Sequence, residues 1–434
     1  MTQLLHSNLS VNAAGHLTIG GLDTVELAHE YGTPLYILDE DRIRANAKRY
    51  TSAMAEAFGP SSMPLFAGKA LCFKGLYPVI ASEGMGADVV SPGEIYTAAA
   101  GGFPTDRLYF HGDNKTDADI AYAMEAGVGV FVVDNETELD ALDAIAGEKG
   151  IRQKILLRIT VGLDPHTLEA INTGRVDSQF GIPIDTGQAA RFVEKALSEQ
   201  NLELRGYHSH IGSQILESDP FFDQVDILLK FADEMRSRYG YTAEVFNLGG
   251  GFGIRYTEAD EAVDIEGNIR VIGEHLRKGC ANYDYPMPQV LMEPGRSIVG
   301  DAGITIYEIG QVKTIEGYRS YITVDGGMTD NPRFALYKSD YTVHVATKMN
   351  EPEDFECTVA GRCCESGDRI QENVMIARPE RGDLLAVLST GAYNYSMASN
   401  YNRLTRPPIV MVAGGTHRLV VRRETFEDLI RCDL

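Results

Sequence analysis

Short apolar, β-branched runs occupy residues 63–70, 86–91, 107–112, 128–135, 154–160, 204–213, 245–252 and 289–299. Near-continuous runs of this kind suit strands buried on both faces. Stretches of helical length lie between them. Residues 92–101 start after Ser91, a suitable N-cap, with Glu94 in the capping-box position. Asn135 opens a second helix, followed by Glu136 and Glu138, and residues 220–239 carry apolar side chains at helical spacing. Eight strands alternating with helices predict an α/β fold, a (β/α)8 TIM-like barrel over residues 36–300, with a doubly wound sheet as the alternative. The barrel is favoured by what falls at the strand ends: Lys69, His111, Arg158, His210, the glycines 249–251, Glu293 and Arg296. In a barrel those ends share one mouth, where barrel chemistry takes place.

After residue 300 the pattern changes. Runs at 304–313, 321–324, 341–346, 356–360, 384–388 and 409–412 read as short strands separated by turns. They predict an all-β C-terminal domain over residues 301–434, which the β-like pieces of residues 1–35 are expected to join. The segment 161–185 is long for a barrel loop and reads either as a functional loop or as a solvated insertion.

A formal net charge of -23 disfavours nucleic acid and anionic membrane surfaces. Any anionic ligand must then be held by a local cluster of cations or backbone N–H groups. The six cysteines follow no zinc spacing and suit free thiols in a reducing cytoplasm. No run approaches the roughly 18 apolar residues of a membrane span, and residues 1–20 lack an apolar signal core. A soluble cytoplasmic chain without a metal is expected. His208 and His210 are not taken as a zinc pair, and His208 is expected to pack behind its strand.

Candidate chemistry gathers at the expected mouth. Gly249, Gly250 and Gly251 end the seventh strand, where backbone N–H groups can approach a phosphate without Cβ obstruction; a tight turn would use the same residues. Ser213 ends the sixth strand with a hydroxyl, and Gly295-Arg296 end the eighth with a guanidinium, so the three ends form a coherent anion cup. Glu293 beside an anion needs a cationic partner, which is either an arginine or a protonated pyridine nitrogen. Lys69 in an apolar strand either snorkels or forms a Schiff base at a lowered pKa. Cys364, followed by Glu365 and Asp368, is either a small buried side chain or a thiol kept protonated as a general acid.

These motifs resemble the fold-type III pyridoxal-phosphate-dependent decarboxylases, and among them the diaminopimelate decarboxylases. The resemblance runs from about residue 32 to about residue 431. It rests on Phe66-Ala67-Gly68-Lys69-Ala70, Asp88-Val89-Val90-Ser91, His111-Gly112-Asp113-Asn114-Lys115-Thr116, His208-Ser209-His210-Ile211-Gly212-Ser213 and the triple glycine. It continues through Glu293-Pro294-Gly295-Arg296-Ser297, Val324-Asp325-Gly326-Gly327-Met328, Asn331-Pro332-Arg333-Phe334-Ala335-Leu336-Tyr337, Cys363-Cys364-Glu365-Ser366-Gly367-Asp368 and Gly391-Ala392-Tyr393. One departure is Leu71, where the family often has Asn.

The resemblance implies pyridoxal 5'-phosphate as cofactor and a head-to-tail homodimer. It implies a Schiff base on Lys69, His210 stacked on the cofactor ring and Glu293 on the pyridine nitrogen. Asp88, Ser213, Gly249, Gly250, Gly251, Gly295, Arg296 and Tyr393 complete the cofactor site, with Cys364 and Glu365 lent to the other subunit. The implied reaction is decarboxylation of meso-2,6-diaminopimelate at its D-centre to L-lysine. Related enzymes act on ornithine, arginine or carboxynorspermidine. The distal end of diaminopimelate carries both a carboxylate and an ammonium. The resemblance assigns Arg333 and Tyr337 to substrate; with Arg296 nearby they suit the carboxylate and Glu365 suits the ammonium, whereas an ornithine site needs acidic groups only. Tyr393 counts as substrate-binding as well. Pairing of Arg333 with Asp330 is the competing reading. A non-catalytic cofactor-binding homologue and a racemase are further alternatives.

Overall fold

The computed structural model describes residues 4–163 and 178–434. The expectation for the 161–185 loop therefore falls largely outside the described residues. The chain divides into two compact units. One comprises Met1–Asn46, Ile254–Ala262 and Arg296–Leu434, and the other Ala47–Gly253 and Val263–Gly295.

The second of these is the barrel. Its strands are β1 (Met63–Ala67), β2 (Gly86–Val89), β3 (Leu108–Phe110), β4 (Val130–Val133), β5 (Gln153–Thr160), β6 (Leu202–His208), β7 (Val245–Asn247) and β8 (Gln289–Met292). Every neighbouring pair is parallel, and β8 returns to β1 through Leu291↔Met63 and Met292↔Pro64, which closes the sheet. Each expected run overlaps one of these strands, and the doubly wound alternative is excluded by that closure. A helix links each pair of consecutive strands, from Tyr77–Ser82 after β1 to Ile265–Asn282 after β7. Leu65, Val130, Val132, Leu156, Val245 and Leu291 form one buried cluster drawn from five strands. Val130 and Val132 share a face by the two-residue period, which places this cluster inside the barrel.

The expected helix caps are in place. The Ser91 hydroxyl accepts the Glu94 N–H at the head of Pro92–Ala100, and the Asn135 side-chain oxygen accepts the Glu138 N–H at the head of Glu136–Lys149. Glu94 differs in one respect. Its carboxylate accepts the Val90 N–H at 2.7 Å rather than that of the N-cap residue, so it ties the end of β2 to the helix that follows.

The other unit is β-rich. Its long strand Gly303–Ile315 pairs antiparallel with Leu35–Asp39, Leu384–Val387 and Arg319–Val324. Leu35–Asp39 also runs parallel to Ile409–Ala413. This double ladder draws Leu35–Asp39 into the sheet, while Leu9–Val11, Leu17–Ile19 and Leu22–Asp23 form a separate three-stranded sheet in the same unit; the division falls after Asn46 and before Arg296 rather than at residues 35 and 300. Two strands absent from the sequence reading, Arg369–Ile376 and Thr416–Val421, complete the sheet. Both lie at its edges and open on polar residues, so each keeps an apolar run of only three residues.

Candidate active site

Glu293 anchors the barrel site. It follows β8, is buried, and has three partners in its own unit. The His111 Nε2 lies 2.9 Å away, the His208 Nε2 3.2 Å, and the Asn247 amide donates to Oε1 at 2.7 Å. The two imidazoles meet edge to face with centroids 4.9 Å apart. Burial alone would push the Glu293 carboxyl up, but the two histidines outweigh it and hold the group well below the usual carboxylate range. Burial in turn takes His208 down to about 4, against the pull of Glu293. His208 is therefore a neutral donor at pH 7, and Glu293 is ionised. This corrects the expectation that His208 packs behind its strand: at the last position of β6 its ring turns to the carboxylate. The ligand atoms of His111, His208 and Glu293 lie within 4.8 Å of one another, so the same trio could also accept a divalent cation.

Asn247 joins this cluster to the glycine loop. Its side-chain oxygen accepts the Gly249 N–H at 3.0 Å while its amide holds Glu293. Gly249 has φ +69°, and a Cβ there would come within 2.8 Å of the His210 ring; a Cβ on Gly250 would come within 2.2 Å of the Glu293 carbonyl oxygen. These positions admit only glycine, and they bring the backbone beside His210 and Glu293. The loop after β6 is tied in alongside: Ile215 N–H donates to the Gly251 carbonyl at 2.8 Å, and Gly253 N–H to that of Ile215 at 3.0 Å. Ser213 lies on this loop.

Lys69 is not inside a strand. Strand β1 stops at Ala67, whose N–H donates to the Pro294 carbonyl, and residues Gly68–Ala70 form a single 3-10 turn. A Cβ on Gly295 would meet Ala67 and Ala70 at 3.0 Å, so the end of β8 packs directly beneath this turn. The Lys69 side chain is exposed and Leu71 is buried behind it. The burial argument for a lowered lysine pKa thus fails. Lys69 acts electrostatically on Asp88, Glu94 and His210. Asp88 is buried on β2, its Oδ1 has no hydrogen-bond partner among the described residues, and burial raises its carboxyl. Burial pushes Glu94 up to about 7. His210 is held well below its usual range by burial, then by Lys69 and Arg158. Sequence reasoning missed Asn247, Glu94 and the roles of His111 and His208. For Asn247, His111 and His208 the signal was position at or next to the C-terminal end of a barrel strand; for Glu94 it was the capping-box position.

The β-rich unit holds a second cluster. Arg296 and Arg333 are both buried, and both donate to the phenolic oxygen of Tyr256, Arg333 at 3.1 Å. The Arg296 guanidinium stands 4.8 Å from the Tyr393 ring centroid; Arg333 stands 5.8 Å from Tyr393 and 6.0 Å from Tyr337. Tyr393 has φ +59°, a strained conformation for a bulky residue and one that gathers at functional sites. Arg333 also donates to Ser339 at 3.1 Å, while its buried Nε has no acceptor and no carboxylate pairs with it among the described residues. Asp330, the competing partner, is taken by Tyr307 at 2.7 Å and by the Gly327 N–H at 2.9 Å. Tyr256 is a member of this cluster that the sequence did not announce.

Cys364 and Glu365 occupy an exposed loop. The Cys364 N–H donates to the Asn402 side-chain oxygen at 2.8 Å. Burial, then Asp368, push the thiol of the adjacent Cys363 up to about 12.

Residues 40–300 match the family described as pyridoxal-dependent decarboxylase, pyridoxal binding domain. The chain is 44% identical over 430 residues to the diaminopimelate decarboxylase of Bacillus subtilis, covering 99% of this chain and 98% of that one. It is 38% identical to the enzyme of the same name from Mycobacterium tuberculosis, over the full length of both. A crystal structure of diaminopimelate decarboxylase from M. jannaschii in complex with L-lysine superposes with a TM-score of 0.91 at 31% identity, covering 100% of this chain and 99% of that one. By sequence, fold and site residues together, the chain belongs to the diaminopimelate decarboxylase family of pyridoxal-dependent decarboxylases.

Proposed function

We propose that this chain removes CO2 from meso-2,6-diaminopimelate to give L-lysine, with pyridoxal 5'-phosphate held in the barrel unit. The residues present fit that group. An ionised Glu293 suits a protonated pyridine nitrogen, the unpartnered Oδ1 of Asp88 awaits a donor, and the glycine loop offers N–H groups to a phosphate. When bound, the cofactor supplies an electron-withdrawing ring that accepts the electron pair left at Cα as the carboxylate departs.

The rest is the work of this chain's own residues. Lys69 Nζ would hold the cofactor's aldehyde carbon. Glu293 would face the ring nitrogen and keep its proton, with Asn247 and the two histidines orienting the carboxylate. His210, Asp88 and Gly295 would line the ring. Gly249, Gly250, Gly251 and Ser213 would take the phosphate. Arg333 and Tyr337, with Arg296 and Tyr393, take the distal carboxylate of the substrate. A second copy of the chain, in a head-to-tail homodimer, lends Glu365 to the distal ammonium and Cys364 to protonate Cα. A cytoplasmic location belongs to this reading, and the six free thiols suit it.

The observation that carries the choice of substrate is Arg333, a buried guanidinium without an anionic partner among the described residues. An uncompensated buried cation is costly, and a substrate with a distal carboxylate relieves it. A diamine precursor such as ornithine would be repelled. Arg333→Ala should raise KM for meso-diaminopimelate by roughly a hundredfold or more, the scale of losing one buried charge pair. An unchanged KM would remove Arg333 from the substrate site.

A further inference from the structure

One carboxylate in the β-rich unit holds two segments that the proposed function assigns to different tasks. Asp368 is buried. Its Oδ1 accepts the Met328 N–H at 2.7 Å and its Oδ2 accepts the Cys363 N–H at 2.7 Å. Gly327 and Gly361 approach so closely that a Cβ would lie 2.4 and 2.3 Å from those oxygens. Backbone bonds run alongside: Arg362 N–H donates to Gly326 at 2.9 Å and Gly361 N–H to the Asp368 carbonyl at 3.1 Å. Beyond Met328 the chain turns, with Asp330 and Asn331 N–H groups returning to Gly327, and enters the helix Arg333–Tyr337. Beyond Cys363 comes Cys364. The clamp therefore sits at the root of the Arg333 segment and at the root of the Cys364 segment.

We propose that Asp368 is a positioning residue that fixes both segments at once, and so ties the substrate fork of one active site to the proton donor lent to the other. This rests on the proposed assignment of Arg333 to a chain's own site and of Cys364 and Glu365 to its partner's. The chemistry requires an ionised acid. Two backbone donors converge on two oxygens, and an asparagine would offer one acceptor and turn an N–H2 toward the other donor. Asp368→Asn thus breaks one bond and leaves a buried donor facing a donor.

The test uses holoenzyme hybrid dimers assembled from two differently tagged chains, one carrying Lys69→Ala, so that a single live site remains. With Asp368→Asn on the chain that owns the live barrel, KM for meso-diaminopimelate should rise roughly tenfold with kcat kept. With Asp368→Asn on the Lys69→Ala chain, which only lends its Cys364, kcat should fall roughly tenfold with KM kept. Asp368→Glu, which retains both acceptors, should show the same split at smaller amplitude and serves if the amide variant does not assemble. Equal effects in the two hybrids, or none, overturn the proposal. A hybrid of Lys69→Ala with Cys364→Ala chains tests the sharing separately. Regained activity on mixing upholds the shared site; its absence overturns that assignment and the clamp proposal with it.

Discussion

At the scale of residues, the site is governed by which charges are allowed to form in a dry place. Glu293 stays ionised because Asn247 and His208 offer it N–H groups and the His111 ring lies beside it. Glu293→Gln keeps the shape and removes the charge, so kcat should fall by about 10² to 10³, the usual cost of one preorganised electrostatic partner. Steady-state kinetics on cofactor-loaded variant would read it, and a kcat within threefold of the parent would refute the role. Asp330 behaves oppositely. Burial, opposed by bonds from Tyr307, Gly327 and Thr329, pushes its carboxyl from 3.8 up to about 7. Folded chain then keeps a proton that unfolded chain releases between those values. This contribution to stability is complete below the lower value and is lost as pH rises through the higher one, by at most ~1.4 kcal/mol per pH unit. Asp330→Asn mimics the neutral acid, so its melting temperature should gain on the parent from pH 4 to pH 7. Parallel melting curves across that window would contradict the assignment.

At the scale of elements, the buried pair Lys115–Glu138 binds three pieces of the barrel. Lys115 Nζ donates to Glu138 at 2.7 Å, to the Gly112 carbonyl at 2.8 Å and to the Val132 carbonyl at 2.9 Å. It thereby joins the loop after β3, strand β4 and the helix Glu136–Lys149. Lys115→Met should cost ~3–5 kcal/mol by leaving Glu138 unpaired, and Lys115→Met with Glu138→Leu should recover most of it. Denaturant midpoints of the two variants decide this. Elements of this kind were the most legible part of the chain, because strand runs and caps are local: Ser91 and Asn135 cap the helices they were expected to cap. The less legible parts depend on contacts distant in sequence. Glu94 looked like half of a capping box, yet its carboxylate went to Val90 because the end of β2 offered a free N–H. Lys69 looked buried because its neighbours are apolar, yet Gly68 breaks the strand and puts the lysine on an exposed turn. Asn247 reads as an ordinary strand end until Glu293 is brought against it by closure of the barrel.

At the scale of the whole molecule, the barrel supplies a carboxylate, a lysine and a glycine loop at the ends of strands β8, β1 and β7, and the β-rich unit supplies two buried guanidiniums around Tyr256. The ordered motifs along the sequence named most of these residues. They did not name Tyr256, which belongs to the β-rich unit although it follows β7 in the chain. Lys69→Ala should load no covalently held cofactor, so purified variant incubated with pyridoxal phosphate and desalted should lack visible absorbance. A colour equal to the parent's would displace Lys69 from its role. The central claim is the reaction itself. The direct measurement is CO2 and amine release by the holoenzyme from meso-diaminopimelate, ornithine and arginine under one set of conditions. Equal amounts of CO2 and L-lysine are expected from diaminopimelate, with kcat/KM at least roughly a hundredfold above either alternative; faster diamine or agmatine production, or lysine without CO2, would refute this reaction.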